Sequence, residues 1–113
     1  MPDMNQRIRN IGIVPVIKLD STDQAKPLAQ ALIAGGLPVA EVTFRTAAGE
    51  ESIRIMRKEF PTMLVGAGTI TNVESAAKAI AAGAQFVVSP GYSEDVVSFC
   101  QAKGTPVYPG VNN

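Results

Sequence analysis

Short β-branched runs alternate with helical patterns along the chain, and this alternation limits the fold more than any other feature. The runs centre near Val14, Val42, Val65, Val87 and Val107. Their spacing of roughly 20–28 residues fits one strand, one helix and two short connections. Strands separated by helices form a parallel sheet with right-handed crossovers. The helix ends rhyme as well: Ala34-Gly35-Gly36, Ala82-Gly83-Ala84 and Lys103-Gly104-Thr105 each precede a strand. Two architectures satisfy this pattern, an open doubly wound sheet and part of a (β/α)8 barrel. Helices of similar length and unusual polar residues at every strand exit favour the barrel. Those exits are Lys18 and Asp20, Glu41 and Arg45, Gly66 to Thr69, Ser89-Pro90, and Asn112. In a barrel they converge on the carboxy-terminal mouth, where barrel enzymes keep their sites. Five strands do not close an eight-stranded barrel. The expected fold is therefore α/β, an amino-terminal portion of a (β/α)8 barrel: about four βα units plus a fifth strand, spanning residues 1–113 as a single domain.

In chain order, residues 1–10 are expected to form an amino-terminal helix, with a short polar helical pattern over 3–10. Ile11 to Ile17 reads as a buried strand, where Pro15 points to an edge or to a barrel position that can spare its ladder donor. Ser21 and Gln24 form a capping box, and Ala25, Leu28, Ala29, Leu32 and Ile33 follow as an apolar stripe. Pro27 is expected to disturb the first turns. The second strand runs from Val39 to Phe44, and the second helix from Ala48 to Glu59 with Ile53, Met56 and Phe60 on one face. The third strand is Met63-Leu64-Val65, opening into a loop at Gly66-Ala67-Gly68-Thr69. Thr71 to Glu74 makes another capping box, ahead of a helix with Ala76, Ala77, Ile80 and Ala81 that Gly83 closes. Phe86-Val87-Val88 is the fourth strand. Ser93 caps a fourth helix through Val96, Val97, Phe99 and Cys100, and Pro106-Val107-Tyr108 is the fifth strand.

Several function classes are excluded by composition. Ten basic and ten acidic residues cancel, and the few aromatic residues are scattered, so no nucleic-acid surface is expected. The longest apolar runs are far below the roughly 18 residues of a membrane span, and Met1 to Gln6 carry no apolar signal core. Cys100 is the only cysteine, which fits a reducing cytoplasm. There is no histidine, which removes a Ser-His-Asp triad and a His-ligated zinc site. Acid–base chemistry must use Glu, Asp, Lys, Tyr or water.

Glu41-Val42-Thr43-Phe44-Arg45-Thr46 places an acid and an arginine at the end of an apolar strand. A structural ion pair and a functional pair both satisfy this, because an unpaired charge is expensive to bury. Gly66-Ala67-Gly68-Thr69 suits either a phosphate-cradling loop or a tight turn of small residues. Ser89-Pro90-Gly91 is a stiff turn. Lys18 reads as a solvated strand-end lysine or as an anion clamp, and Cys100 as core.

In combination these pieces are far more specific. Val-Pro-Val-Ile, Glu-Val-Thr-Phe-Arg-Thr, Val-Gly-Ala-Gly-Thr, Val-Val-Ser-Pro-Gly and Tyr-Pro-Gly-Val occur in this order over Ile11 to Asn113. The chain resembles the amino-terminal part of the 2-dehydro-3-deoxy-6-phosphogluconate (KDPG) aldolase family, which includes 4-hydroxy-2-oxoglutarate aldolase activity. The resemblance implies a class I aldolase on a (β/α)8 TIM barrel, trimeric, using no metal and no cofactor. A lysine forms a Schiff base with the keto carbon, and the protonated imine is the electron sink for cleavage to pyruvate and an aldehyde. On this resemblance Glu41 is the general acid/base, moving protons at the carbinolamine and enamine steps. Arg45 helps to hold the substrate carboxylate, Thr69 and Pro90 line the pyruvyl pocket, and Lys18 falls where some relatives carry a basic residue and others an apolar one.

One departure matters. The family's Schiff-base lysine lies on the sixth strand and its phosphate loops follow the seventh and eighth, whereas Lys26, Lys58, Lys78 and Lys103 fall here on helices or helix ends. The chain is expected to hold the acid/base and carboxylate site without the nucleophile, and to be inactive alone. Its expected partners are a small-molecule keto acid and either further copies of itself or a carboxy-terminal half, with no membrane. Two other readings remain open on sequence: a non-catalytic half-barrel assembly module, and a phosphosugar isomerase or epimerase that uses the Gly66–Thr69 segment without needing the Glu41/Arg45 pair.

Overall fold

The computed structural model describes residues 15–44, 48–90 and 93–109. The expected amino-terminal helix, the first part of strand one, Arg45, Gly91 and Asn112 lie outside the described residues. Five parallel strands form one sheet: β1 (Val16–Ile17), β2 (Val39–Thr43), β3 (Leu64–Gly68), β4 (Val87–Ser89) and β5 (Val107–Pro109). Four helices connect them, α1 (Ala25–Ala34), α2 (Ala48–Glu59), α3 (Val73–Ala82) and α4 (Glu94–Ala102), with a 3-10 turn at Thr22–Gln24 before α1. The strand order is sequential from β1 to β5. A doubly wound sheet reverses its order at a switch point, and a barrel does not. Sequential order therefore selects the barrel-type α/β arrangement.

Strand alternation sorts the residues into two layers. Ala40, Val42, Val65, Ala67 and Val87 point outward into the main core, against Ala29 of α1, Ile53 and Met56 of α2, Ala76 and Ala79 of α3, and Val96 and Cys100 of α4. The opposite, concave face carries a smaller cluster of Val39, Leu64 and Phe86, with Leu37, Val88 and Tyr108 against it. The rings of Phe86 and Tyr108 meet edge to face at 6.2 Å. Both faces of β2 and β3 are thus buried, as in a parallel sheet with helices on one side and a packed barrel interior on the other.

Several expectations need correction. Gly66, Ala67 and Gly68 are not a loop but the body of β3, paired with β2 from Val39↔Leu64 to Thr43↔Gly68. Their small size answers to cross-strand crowding. A Cβ on Gly66 would stand inside the ring of Phe86, and one on Gly68 would run into the carboxyl group of Glu41. Since α3 begins only at Val73, these glycines form no phosphate cradle at a helix start. The cap of α3 is Asn72 rather than Thr71, with Asn72 Oδ1 accepting from Ser75 N at 2.7 Å. Ahead of α1, Ser21 Oγ accepts from Asp23 N, while Gln24 Oε1 accepts from Asp20 N instead of closing a box on Ser21. Pro27 sits in the first turn of α1, where its missing N–H has no helical acceptor to lose. The inward stripe of α3 is Ala76, Ala79 and Ala82, leaving Ala77 and Ala81 exposed. Ile33 and Val16 are also exposed, Val16 in register with Glu41 and lining the open cleft beside it.

Candidate active site

β2 delivers the central group. Val39, Glu41 and Thr43 alternate onto the concave face, so the strand that starts in the inner apolar cluster ends in polar side chains at its carboxy-terminal end. The backbone there is held on both sides, with Glu41 N donating to Pro15 O at 2.9 Å and Phe44 N to Gly68 O at 3.0 Å. Glu41 is only 9 % exposed. Its side chain lies across β3 in the space that Gly68 leaves empty: the Cδ is 2.8 Å from where a Gly68 Cβ would stand. Burial raises the Glu41 pKa above the ordinary carboxylate value, because desolvation penalises the charged form. Among the described residues no hydrogen bond to this carboxyl group offsets that cost.

Glu41 opens onto a cleft of about 270 Å³ lined by Val16, Lys18, Thr43, Thr69, Val88 and Pro90. Lys18 comes from the exit of β1, Thr69 follows β3, and Pro90 follows β4. Four sequence-predicted residues, Lys18, Glu41, Thr69 and Pro90, are therefore brought together from four strand ends. Arg45 lies outside the described residues. Asp20 is exposed and does not line the cleft.

Thr69 has a left-handed backbone, φ 59°. For a β-branched residue this conformation costs on the order of 1–3 kcal/mol and persists only where its neighbours enforce it. Here Gly68 O accepts from Phe44 N and Ile70 N donates to Val88 O at 3.2 Å, pinning the chain on both sides of Thr69. The strained residue thus stands at the rim of the cleft.

Thr43 was not singled out from sequence. It is 4 % exposed, lines the cleft, and its Oγ1 is buried without a hydrogen-bond partner among the described residues. The signal was available, since position 43 shares the strand face of position 41. The lysines other than Lys18 stay on the helical layer. Lys26 pairs with Glu59 at 3.2 Å and Lys78 with Glu74 at 3.4 Å, while Lys103 sits over the Phe99 ring. Lys58 lines a surface groove between α1 and α2 with Lys26, Glu51 and Arg54.

A buried carboxyl group of raised proton affinity, in a polar-rimmed cleft at the carboxy-terminal ends of parallel strands, is equipped to exchange protons with a small bound molecule. Comparison with known proteins identifies the family of the chain. A family model described as KDPG and KHG aldolase matches residues 4–113. A 2-dehydro-3-deoxy-phosphogluconate aldolase of Treponema pallidum is 46% identical over 106 residues, 94% of this chain and 50% of the relative. The crystal structure of the 2-keto-3-deoxy-6-phospho-gluconate aldolase of Zymomonas mobilis superimposes with a TM-score of 0.90 at 42% identity, covering 99% of this chain and 54% of that one. A KDPG aldolase from Legionella pneumophila, with pyruvate captured as a covalent carbinolamine, gives 0.83 at 38% identity, covering 88% and 48%. The chain spans about half the length of the curated relatives it matches.

Proposed function

The chain belongs to the KDPG and KHG aldolase family, and we propose that it supplies the proton-transfer and keto-acid-holding half of a class I aldolase site. The observation that carries this reading is the Glu41 carboxyl group, buried over Gly68 in a cleft shared with Lys18, Thr69 and Pro90. In such a reaction a lysine amine adds to the keto carbon, water leaves, and the resulting iminium accepts the electron pair of the breaking carbon–carbon bond. Glu41 serves the steps at which a proton must move: loss of water from the carbinolamine, removal of the hydroxyl proton as the aldehyde departs, and protonation of the enamine carbon. A carboxyl group whose pKa is lifted toward neutrality can both give and take that proton. Thr69 and Pro90 bound the pyruvyl group, and Arg45 and Lys18 provide positive charge for the substrate carboxylate. The substrates are 2-keto-3-deoxy-6-phosphogluconate or 4-hydroxy-2-oxoglutarate, cleaved to pyruvate and an aldehyde.

The imine-forming lysine comes from outside these 113 residues, in another segment or another polypeptide. The helical lysines are held on the outer layer, away from the cleft. The working form is a homotrimer of complete sites in the cytoplasm. Among the described residues no helix is long and apolar enough to cross a membrane. Glu41→Gln tests the reading in the intact protein: aldol cleavage should fall by about 10²–10⁴-fold, with the fold retained. Turnover within a few-fold of the parent would overturn it and reopen an isomerase or assembly role.

A further inference from the structure

Glu41 and Thr43 share one face of β2, and Thr43 is the Cα partner of Gly68 on β3. The Glu41 side chain leans over Gly68, with Cγ 3.0 Å and Cδ 2.8 Å from the position a Cβ would take there. Adjacent strands lie about 4.8 Å apart, so the carboxyl group stands beside Thr43, one step toward the mouth from its own Cα. Two buried polar groups therefore adjoin each other. Among the described residues the hydroxyl has no partner and no hydrogen bond acts on the carboxyl group.

We propose that Thr43 is a positioning residue for Glu41, its hydroxyl turning about χ1 to hydrogen-bond the carboxyl group and hold it over Gly68. The two branches of a threonine side chain are close in size, so this turn exchanges hydroxyl for methyl with little repacking. A hydroxyl suits a partner that changes protonation state: it donates to a carboxylate and accepts from a carboxylic acid. The bond to the ion is the stronger of the two. Thr43 thus opposes the effect of burial and draws the Glu41 midpoint back down. Few other charges act on that midpoint. Lys18, from the end of β1, is the only other charged residue among the described ones lining the cleft, while β3 and β4 present Thr69, Val88 and Pro90, none of them titratable. Arg45, on the same chain segment, is unchanged in every variant below.

The test is a carboxyl ¹³C NMR titration of the intact protein labelled at glutamate, with Glu41→Gln identifying the resonance. Thr43→Val should raise the Glu41 midpoint by about one pH unit, a tenfold change in proton affinity, and Thr43→Ser should return it most of the way. Thr43→Ala provides a second deletion of the hydroxyl and should shift the midpoint in the same direction. An unmoved midpoint in the folded hydroxyl-deletion variants would overturn the assignment. The inference rests on the aldolase reading for its catalytic meaning, but the titration reads Glu41 directly. If Glu41→Gln still cleaves substrate, the aldolase role fails while the titration still decides the Thr43 contact.

Discussion

Two glycines two residues apart on β3 should fail in different ways when each is replaced by alanine. At Gly66 the added methyl meets the Phe86 ring, itself 1 % exposed and packed against Val39, Leu64 and Tyr108. A buried ring cannot swing aside without shifting its neighbours. Overpacking of this kind costs about 1–3 kcal/mol. The loss of unfolded-state freedom on replacing glycine returns about 0.4–1 kcal/mol. Gly66→Ala should therefore lose roughly 1–2 kcal/mol net. At Gly68 the methyl meets the end of the Glu41 side chain. That end can swing into the cleft at small cost in stability, so Gly68→Ala should change stability by less than about 1 kcal/mol. Its function should suffer more. Moving a catalytic carboxyl group by about 1 Å costs on the order of 10²-fold in rate. Urea unfolding with unchanged m-value gives the first quantity and steady-state cleavage in the intact protein the second. Full activity in Gly68→Ala, or greater stability of Gly66→Ala than of Gly68→Ala, would rule out these cross-strand roles.

Three further outcomes follow from the same structure. Burial raises the folded-state pKa of Glu41, so its contribution to stability is present in acid and is lost as pH rises through the raised folded midpoint; Glu41→Gln should accordingly be more stable than the parent at pH 7 to 8, with the gap closing at acid pH in thermal melts. Thr69→Gly relieves the backbone strain at φ 59° and should leave the melting temperature at or above the parent's despite the added chain entropy, while raising KM for the keto acid. Burial also raises the pKa of the Cys100 thiol, and a thiol reagent should modify it only as fast as the protein unfolds; rapid native-state labelling would contradict its place in the core.

The repeating strand–helix order was legible in the sequence because it rests on periodicities of a few residues, while Lys18, Glu41, Thr69 and Pro90, which line one cleft, were candidates through their strand-exit positions and the family resemblance. Ala48–Glu59 appeared with the bounds its pattern predicts, and Ser93 caps α4 through a bond from Val96 N to its Oγ. What the sequence hid depends on neighbours across the sheet. Gly66-Ala67-Gly68 looks like a turn in one dimension and becomes a strand once Phe86 and Glu41 lean over it. Ser21 caps as expected, but the Gln24 side chain reaches back to Asp20 N rather than to Ser21, and the cap of α3 moved one residue on, from Thr71 to Asn72. Thr43 shares the strand face of Glu41, but a threonine in a strand is ordinary in sequence. Only its buried, unpartnered hydroxyl beside Glu41 sets it apart.

The central claim is that Glu41 moves the protons of an imine-forming aldolase site. Solvent exchange of the pyruvate methyl protons, followed by NMR in heavy water with the intact protein, tests it most directly, because exchange requires enamine formation at that carbon without any aldehyde. Exchange should be rapid with the parent protein and fall by about 10²-fold or more in Glu41→Gln, with borohydride still trapping the pyruvate imine. Undiminished exchange in Glu41→Gln would contradict it.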